Sequence, residues 1–149
     1  MIKKIFILIL TLPILFIQLS NAEEKFLSLK KNKVNVRYGP GFDYPIKYFY
    51  KKINLPIKLI DKKENFRRII DLKNNGGWVH VSQLKKSNSI IILENKVLFM
   101  KPSNFSKPIL KLEKGRLLVV KKCQINWCNI KTDDYSGWVE TTNIWGSLN

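Results

Sequence analysis

Two cysteines and one histidine are the residues of this sequence best suited to covalent chemistry. Cys123 and Cys128 are the only cysteines, and His80 is the only histidine. A Cys/His nucleophile would join His80 to a distant cysteine, and it would also need an orienting third group and an oxyanion hole. No segment supplies an orienting group or an oxyanion hole. No segment contains a phosphate-binding glycine loop or a set of metal ligands either. We therefore predict no catalytic residue, no cofactor and no metal; a cell-wall hydrolase is the enzymatic alternative.

A group of aromatic and basic residues surrounds one glycine-proline loop and is the best candidate for ligand binding. These residues are Arg37, Tyr38, Phe42, Tyr44 and Lys47. Aromatic faces between cationic donors suit extended peptides, or sugar rings that carry carboxylates. The alternative is that several of these rings belong to the core. The loop itself, Gly39, Pro40 and Gly41, is predicted to be structural, with glycine allowing a turn at positive φ.

The N-terminus has the three-part layout of a secretory signal peptide. Lys3 and Lys4 precede an apolar stretch that ends at Leu19, and Ser20-Asn21-Ala22 follows it. The apolar stretch is about 15 residues long, whereas a membrane-spanning helix needs roughly 20. We expect cleavage after Ala22, with no stable membrane span afterwards and a periplasmic or secreted product; an uncleaved anchor is the alternative.

Export would place the two cysteines in an oxidising compartment. An even number of cysteines in an oxidising compartment favours a disulfide between Cys123 and Cys128. Two structural thiols, or a metal or redox role, are the alternatives, although four intervening residues do not make the Cys-x-x-Cys redox motif.

The chain is strongly basic, with a formal charge of +16 over 149 residues. Subtracting Lys3 and Lys4 leaves +14 for the exported part. A field of this size attracts anionic lipid head groups, glycans and peptide carboxylates, while nucleic acid is a poor candidate for an exported protein. A general bias towards Lys, Ile and Asn would give the same charge, and the lysine-rich stretches 30–31 and 61–64 are predicted to be solvated loops.

The sequence contains a duplicated unit of about 60 residues. Asn32-Lys33-Val34 recurs as Asn95-Lys96-Val97, and Gly77-Trp78-Val79 recurs as Gly137-Trp138-Val139. Short stretches rich in Val, Ile and aromatic residues alternate with Gly, Pro, Asn and Asp clusters, which is typical of β-strands joined by turns. We predict an all-β fold of two small barrels, with repeat 1 over residues 23–86 and repeat 2 over residues 87–149.

The order of motifs in the first unit resembles a bacterial SH3 domain. It runs from Val34-Asn35-Val36-Arg37-Tyr38-Gly39-Pro40-Gly41 through Phe66-Arg67-Arg68-Ile69 to Gly77-Trp78-Val79-His80. The resemblance implies compact SH3-like β-barrels and binding to peptides or cell-wall material in the envelope. Fold alone does not fix function, so a structural or adaptor protein that docks another envelope protein is the alternative.

The two units differ where binding is expected. The second unit has Leu98-Phe99-Met100-Lys101-Pro102-Ser103 in place of the arginine and glycine loop. Trp78 and Trp138 occupy matching positions, which favours a packing role for both. The sequence therefore predicts a non-catalytic binding module whose first repeat recognises peptide, peptidoglycan or an envelope protein.

Overall fold

The computed structural model of this chain describes residues 25–147. The predicted signal peptide, residues 1–22, lies outside the described residues. Residues 25–147 form two antiparallel sheets of seven strands each, and their one helical element is a short 3-10 turn at Val81–Gln83. The all-β prediction with two tandem repeats is confirmed.

The first sheet is built from β1 (Phe26–Leu29), β2 (Val34–Arg37), β3 (Ile46–Tyr50), β4 (Pro56–Lys63), β5 (Phe66–Ile70), β6 (Gly76–His80) and β7 (Leu84–Lys86). Its strands lie in the order β3-β2-β6-β5-β4-β1-β7. The second sheet is built from β8 (Ser89–Ile92), β9 (Lys96–Phe99), β10 (Pro108–Leu112), β11 (Leu117–Gln124), β12 (Trp127–Thr132), β13 (Tyr135–Glu140) and β14 (Ile144–Trp145). Its order, β10-β9-β13-β12-β11-β8-β14, repeats the first.

Each sheet curves around its own apolar core. In the first, Leu29, Val36, Ile57, Ile69 and Val79 are fully buried and come from five different strands. Alternate residues of a strand point to opposite faces, so the neighbours of these residues lie on the outer face of the sheet, where Ser28 and Pro56 are nevertheless buried. In residues 25–147, the end strands β3 and β7 of this sheet are not paired with each other.

The Gly-Trp-Val motif marks a close approach of two strands in each sheet. A Cβ on Gly77 would lie 2.7 Å from the carbonyl oxygen of Arg37, and one on Gly137 would lie 2.7 Å from that of Phe99. Only glycine allows β6 to approach β2, and β13 to approach β9, at this distance. The repeated glycine is therefore required by packing.

Strand pairing corrects the sequence correspondence of the two repeats by one residue. Val34 pairs with Tyr50 at the start of β2, and Lys96 pairs with Leu112 at the start of β9. Lys96, not Val97, therefore occupies the buried position of Val34. Its Nζ donates to Glu94 Oε1 at 2.9 Å and to Thr142 Oγ1 at 3.2 Å, and the bond from Lys96 lowers the pKa of Glu94.

The two repeats contact one another through polar and aromatic side chains. The hydroxyls of Ser28 and Ser89, both fully buried, lie 2.9 Å apart. Trp145 Nε1 donates to Pro56 O at 3.0 Å, and the Trp145 ring packs edge-on against Phe26 with centroids 5.1 Å apart. Only Ser87 and Asn88 lie between the two sheets, because β7 ends at Lys86 and β8 begins at Ser89.

The predicted disulfide is present. Cys123 and Cys128 are direct partners across the hairpin of β11 and β12, and their Cα atoms are 4.1 Å apart. The turn of this hairpin places Ile125 at φ 46°, a left-handed conformation that a β-branched residue resists. The disulfide thus closes the hairpin directly behind a strained turn.

Reduction of the disulfide is expected to lower the free energy of unfolding by about 2 kcal/mol, the loop-closure entropy of so short a ring. Urea unfolding with and without a thiol reductant measures this difference. The Cys123→Ser/Cys128→Val variant is the control. Its stability should match that of the reduced protein and should not change when the reductant is added. An unchanged midpoint on reduction would contradict the expectation.

Candidate binding site on the first repeat

A tryptophan lies between two arginines on the outer face of the first sheet. Trp78 of β6 is the direct partner of Arg37 on β2 and of Arg68 on β5. Directly paired residues of neighbouring strands project to the same face, so these three side chains form a row. Val79, the next residue, projects to the opposite face and enters the core.

This row forms part of a shallow pocket of about 310 Å³. Tyr38, Lys47, Gly76 and Gly77 line it together with the row. We call it the Trp78 pocket. Its three cationic side chains are Arg37, Lys47 and Arg68, and none of its lining residues is a carboxylate. A planar, electron-rich wall beside cations fits an anionic group attached to an apolar or sugar body.

Lys47 is held at this pocket by two kinds of contact. Its Nζ donates to the carbonyl oxygen of Gly76 at 3.1 Å and lies 5.7 Å from the ring centroid of Tyr38. Tyr38 itself is 64% exposed. An exposed aromatic ring beside a positioned ammonium leaves a contact surface available to a ligand.

Arg37 also organises the loop that carries Tyr38. Its Nη1 donates to the carbonyl oxygens of Tyr44 at 2.6 Å and of Phe42 at 3.3 Å. The ring of Tyr44 lies directly on Gly39, since a Cβ there would be 2.3 Å from Tyr44 Cδ1. Gly39 and Gly41 do not adopt positive φ, contrary to the sequence prediction. Glycine is needed at Gly39 to make room for the tyrosine.

Phe42 does not line the Trp78 pocket but packs in an adjoining aromatic cluster, and Arg37 Cζ lies 5.5 Å from its ring centroid. Its ring centroid lies 5.3 Å from that of Phe66 and 5.0 Å from that of His80. Phe66 is buried under these neighbours, while His80 Nδ1 is 2.8 Å from Ser82 Oγ. The only histidine therefore lies in a packed aromatic cluster, and the two cysteines are bonded to each other.

Hydrogen bonds to Asp71 hold the loop that forms one wall of the pocket. The carboxylate of Asp71 accepts from the backbone amides of Lys73 and Asn75, both at 2.9 Å, and from Tyr50 Oη at 3.2 Å. Tyr50 Oη lies 3.1 Å from Tyr48 Oη. Burial raises the pKa of Tyr50 well above its ordinary value of 10.0, and its hydrogen bond with Tyr48 adds to the shift.

The raised pKa of Tyr50 predicts a loss of stability at alkaline pH. Below pH about 10, the tyrosine is protonated in both folded and unfolded chains. Above it, the unfolded chain releases a proton that the folded chain retains, so the free energy of unfolding falls. Urea unfolding at pH about 8 and about 11 should show a steeper fall for the wild type than for Tyr50→Phe. Parallel falls would contradict this assignment.

The second repeat does not carry the side chains that form this pocket. Trp138 pairs with Phe99 and Asn129, so both arginines of the row are replaced. Ile109 occupies the strand bulge that holds Lys47 in the first repeat, and its Cδ1 would lie 2.9 Å from a Cβ on Gly137. In the second repeat, an apolar side chain thus covers the surface that corresponds to the Trp78 pocket of the first repeat.

Three of the five residues predicted to bind ligand come together in the Trp78 pocket, namely Arg37, Tyr38 and Lys47. Phe42 and Tyr44 are exposed but do not line it. Trp78 and Trp138, for which a packing role was predicted, lie outside both cores. Both are half-buried on the outer faces of the sheets. The alternation of Trp78 with Val79 was the signal that separates this tryptophan from the core.

Sequence reasoning did not select Arg68 as a site residue. Its role depends on the pairing of β5 with β6, which places it beside Trp78. Residues 25–147 contain no group of three or more His, Cys, Asp or Glu side chains arranged to hold a metal ion. None of the helical segments in that range has the length and apolar character required to cross a bilayer.

The chain consists of two tandem copies of a small antiparallel β module, and the first copy carries a surface pocket. The family model of the bacterial SH3 domain matches residues 30–86 and 94–146. This chain therefore belongs to the bacterial SH3 domain family, with two tandem copies. The matched regions lie inside the predicted repeats 23–86 and 87–149.

Solved structures similar to this chain include NlpC2 and NlpC1 from Trichomonas vaginalis. The first is 11% identical with a TM-score of 0.38, and the match covers 83% of this chain and 48% of that one. The second is 10% identical with a TM-score of 0.38, and the match covers 86% of this chain and 48% of that one. This chain thus spans about half the length of each. The comparison with curated proteins gave no match.

Proposed function

We propose that this protein is an exported, non-catalytic binding module that holds peptide or peptidoglycan material in the cell envelope through the Trp78 pocket. The single observation that carries the proposal is the row Arg37, Trp78 and Arg68, with Tyr38 and Lys47 beside it, on the first repeat alone. Bacterial SH3 domains are binding modules, which supports a non-catalytic role.

The chemistry of the pocket favours a carboxylate-bearing ligand. Arg37, Arg68 and Lys47 supply positively charged hydrogen-bond donors. Charge-assisted hydrogen bonds to a carboxylate are about twice as strong as neutral ones. Tyr38 and Trp78 supply flat apolar surface for the adjoining part of the ligand. The stem peptide of peptidoglycan offers free carboxylates on an extended chain, so it matches both features.

Pelleting with purified sacculi tests the proposal. We expect the protein to sediment with sacculi and to be released by a soluble stem peptide, but only weakly by the same peptide with its carboxylates amidated. Protein that stays wholly in the supernatant would overturn the proposal. Crosslinking in cells that traps one discrete protein, without competition from sacculi, would favour the adaptor function instead.

Export is part of the same proposal and is tested separately. The N-terminal segment of residues 1–22 supports it, because its basic, apolar and small-residue parts follow the order of a signal peptide. Cell fractionation followed by N-terminal sequencing should recover a chain that begins at Glu23. A cytoplasmic chain that retains Met1 or Ile2 would contradict export.

A further inference from the structure

A second exposed surface lies on the outer side of β2 and β3. The turns before β2 and after β3 are neighbours, because Val34 pairs with Tyr50 and the amide of Leu29 donates to Leu55 O at 3.1 Å. Both turns lack acidic residues. They carry five exposed lysines, Lys30, Lys31, Lys33, Lys51 and Lys52.

Large apolar side chains lie among these lysines. Phe42, Ile46 and Phe49 are 66%, 47% and 43% exposed. The Nζ atoms of Lys33 and Lys51 lie 4.7 Å and 5.3 Å from the ring centroid of Phe49. We call this surface, the five lysines with Phe42, Ile46 and Phe49, the lysine face.

The lysine face is one continuous surface. Lys31 and Lys33 line a shallow depression of about 490 Å³ together with Phe42 and Ile46, and no carboxylate lines it. Because Lys33 also lies over Phe49, it connects the depression to the turn that carries Lys51 and Lys52. Phe42, which the Trp78 pocket leaves unused, is part of this surface.

The combination of charge and exposed apolar area favours one kind of partner. A soluble polyanion would need the lysines but not the three apolar side chains. At a bilayer, apolar side chains enter the boundary between head groups and acyl chains, while lysine ammonium groups remain at the level of the phosphates. An anionic lipid surface therefore uses both parts of the lysine face.

The distribution of charge along the chain also favours an anionic surface as the partner of the first repeat. Residues 23–86 contain 16 Lys and Arg against 6 Asp and Glu, a net charge of +10, and residues 87–149 contain 9 against 5, a net charge of +4. The field of the first repeat would orient that repeat towards an anionic surface.

We propose that the lysine face attaches this protein peripherally to a bilayer that contains anionic lipids, with Ile46 and Phe49 inserted below the head groups. Each lysine near such a surface contributes about fivefold in affinity, corresponding to about 1 kcal/mol. This attachment is a binding activity separate from that of the Trp78 pocket, so either can fail while the other stands.

Vesicle cosedimentation of the full chain tests the proposal. One set of vesicles contains equal parts of phosphatidylglycerol and phosphatidylethanolamine, and the other contains phosphatidylcholine alone. The apolar N-terminal segment is common to every variant, so the difference between the two vesicle types reports the contribution of charge. We expect the triple variant Lys31→Gln/Lys33→Gln/Lys51→Gln to bind the anionic vesicles about 100-fold more weakly.

Matched controls separate the lysine face from net charge and from apolar exposure in general. Lys62→Gln/Lys63→Gln/Lys73→Gln removes the same charge elsewhere on the first repeat and should change binding less than about threefold. Phe49→Ala should weaken binding about fivefold, whereas Phe105→Ala, at a fully exposed ring of the second repeat, should not.

Three results would overturn the proposal. The first is equal binding of the wild type to both vesicle types, and the second is an equal loss in the two triple variants, which would assign binding to net charge. The third is an unchanged affinity in Phe49→Ala alongside a loss in the first triple variant, which would make the lysine face a site for a soluble polyanion.

Discussion

Replacing Tyr38 with alanine is expected to weaken binding to purified sacculi by about tenfold or more, which corresponds to at least about 1.4 kcal/mol. Tyr38 contributes an exposed aromatic wall to the Trp78 pocket, and its ring lies beside the ammonium group of Lys47. Removing the ring takes away apolar contact with the ligand and frees Lys47 on that side. Quantitative pelleting over a range of sacculus concentrations measures the change.

Met100→Ala is the matched control for this experiment. Met100 occupies the position of Tyr38 in the second repeat, because the amide of Tyr38 donates to Pro45 O and that of Met100 donates to Lys107 O. Both side chains are exposed, so neither substitution should change the free energy of unfolding by more than about 0.5 kcal/mol. Equal binding by the two variants would remove Tyr38 from the site.

Replacing Gly77 with alanine is expected to lower the free energy of unfolding by about 2–3 kcal/mol. The new methyl group would lie 2.7 Å from the carbonyl oxygen of Arg37 and 2.7 Å from Val36 Cγ1. A backbone oxygen cannot yield without separating β6 from β2, which would also move Trp78 away from Arg37. Binding to sacculi should therefore fall together with stability, and urea unfolding and pelleting measure the two effects.

Gly41→Ala provides the comparison for this substitution. The atom nearest to a Cβ at Gly41 is Asp43 Oδ1 at 2.3 Å, the end of a flexible side chain. That side chain can rotate away, so we expect a loss below about 1 kcal/mol. A loss at Gly77 no larger than the loss at Gly41 would contradict the close approach of β6 to β2.

The strand content and the duplication were predictable because both depend on local patterns. Alternation of apolar and polar residues and the spacing of turn residues predict strands without knowledge of their partners. The residue-by-residue correspondence of the two repeats was harder to predict. The shared triplet Asn-Lys-Val placed Val97 against Val34, whereas pairing places Lys96 there, and a shift of one residue exchanges the two faces of a strand.

The candidate site was predictable only in part, for a related physical reason. The residues near Gly39-Pro40-Gly41 are close in sequence, so Arg37, Tyr38 and Lys47 could be grouped without the fold. Arg68 and Trp78 join them only through the pairing of three strands that are distant in sequence. The aromatic contacts that place Phe42 with Phe66 and His80 depend on the same long-range pairing.

The most direct test of the account is amide and indole chemical-shift mapping by NMR while soluble peptidoglycan fragments are added. We predict that the largest shifts fall on Lys47, Gly76, Gly77 and Trp78, with the indole signal of Trp138 unchanged. Shifts that fall mainly on the second repeat, or no shifts at fragment concentrations that release the protein from sacculi, would contradict the assignment of binding to the Trp78 pocket.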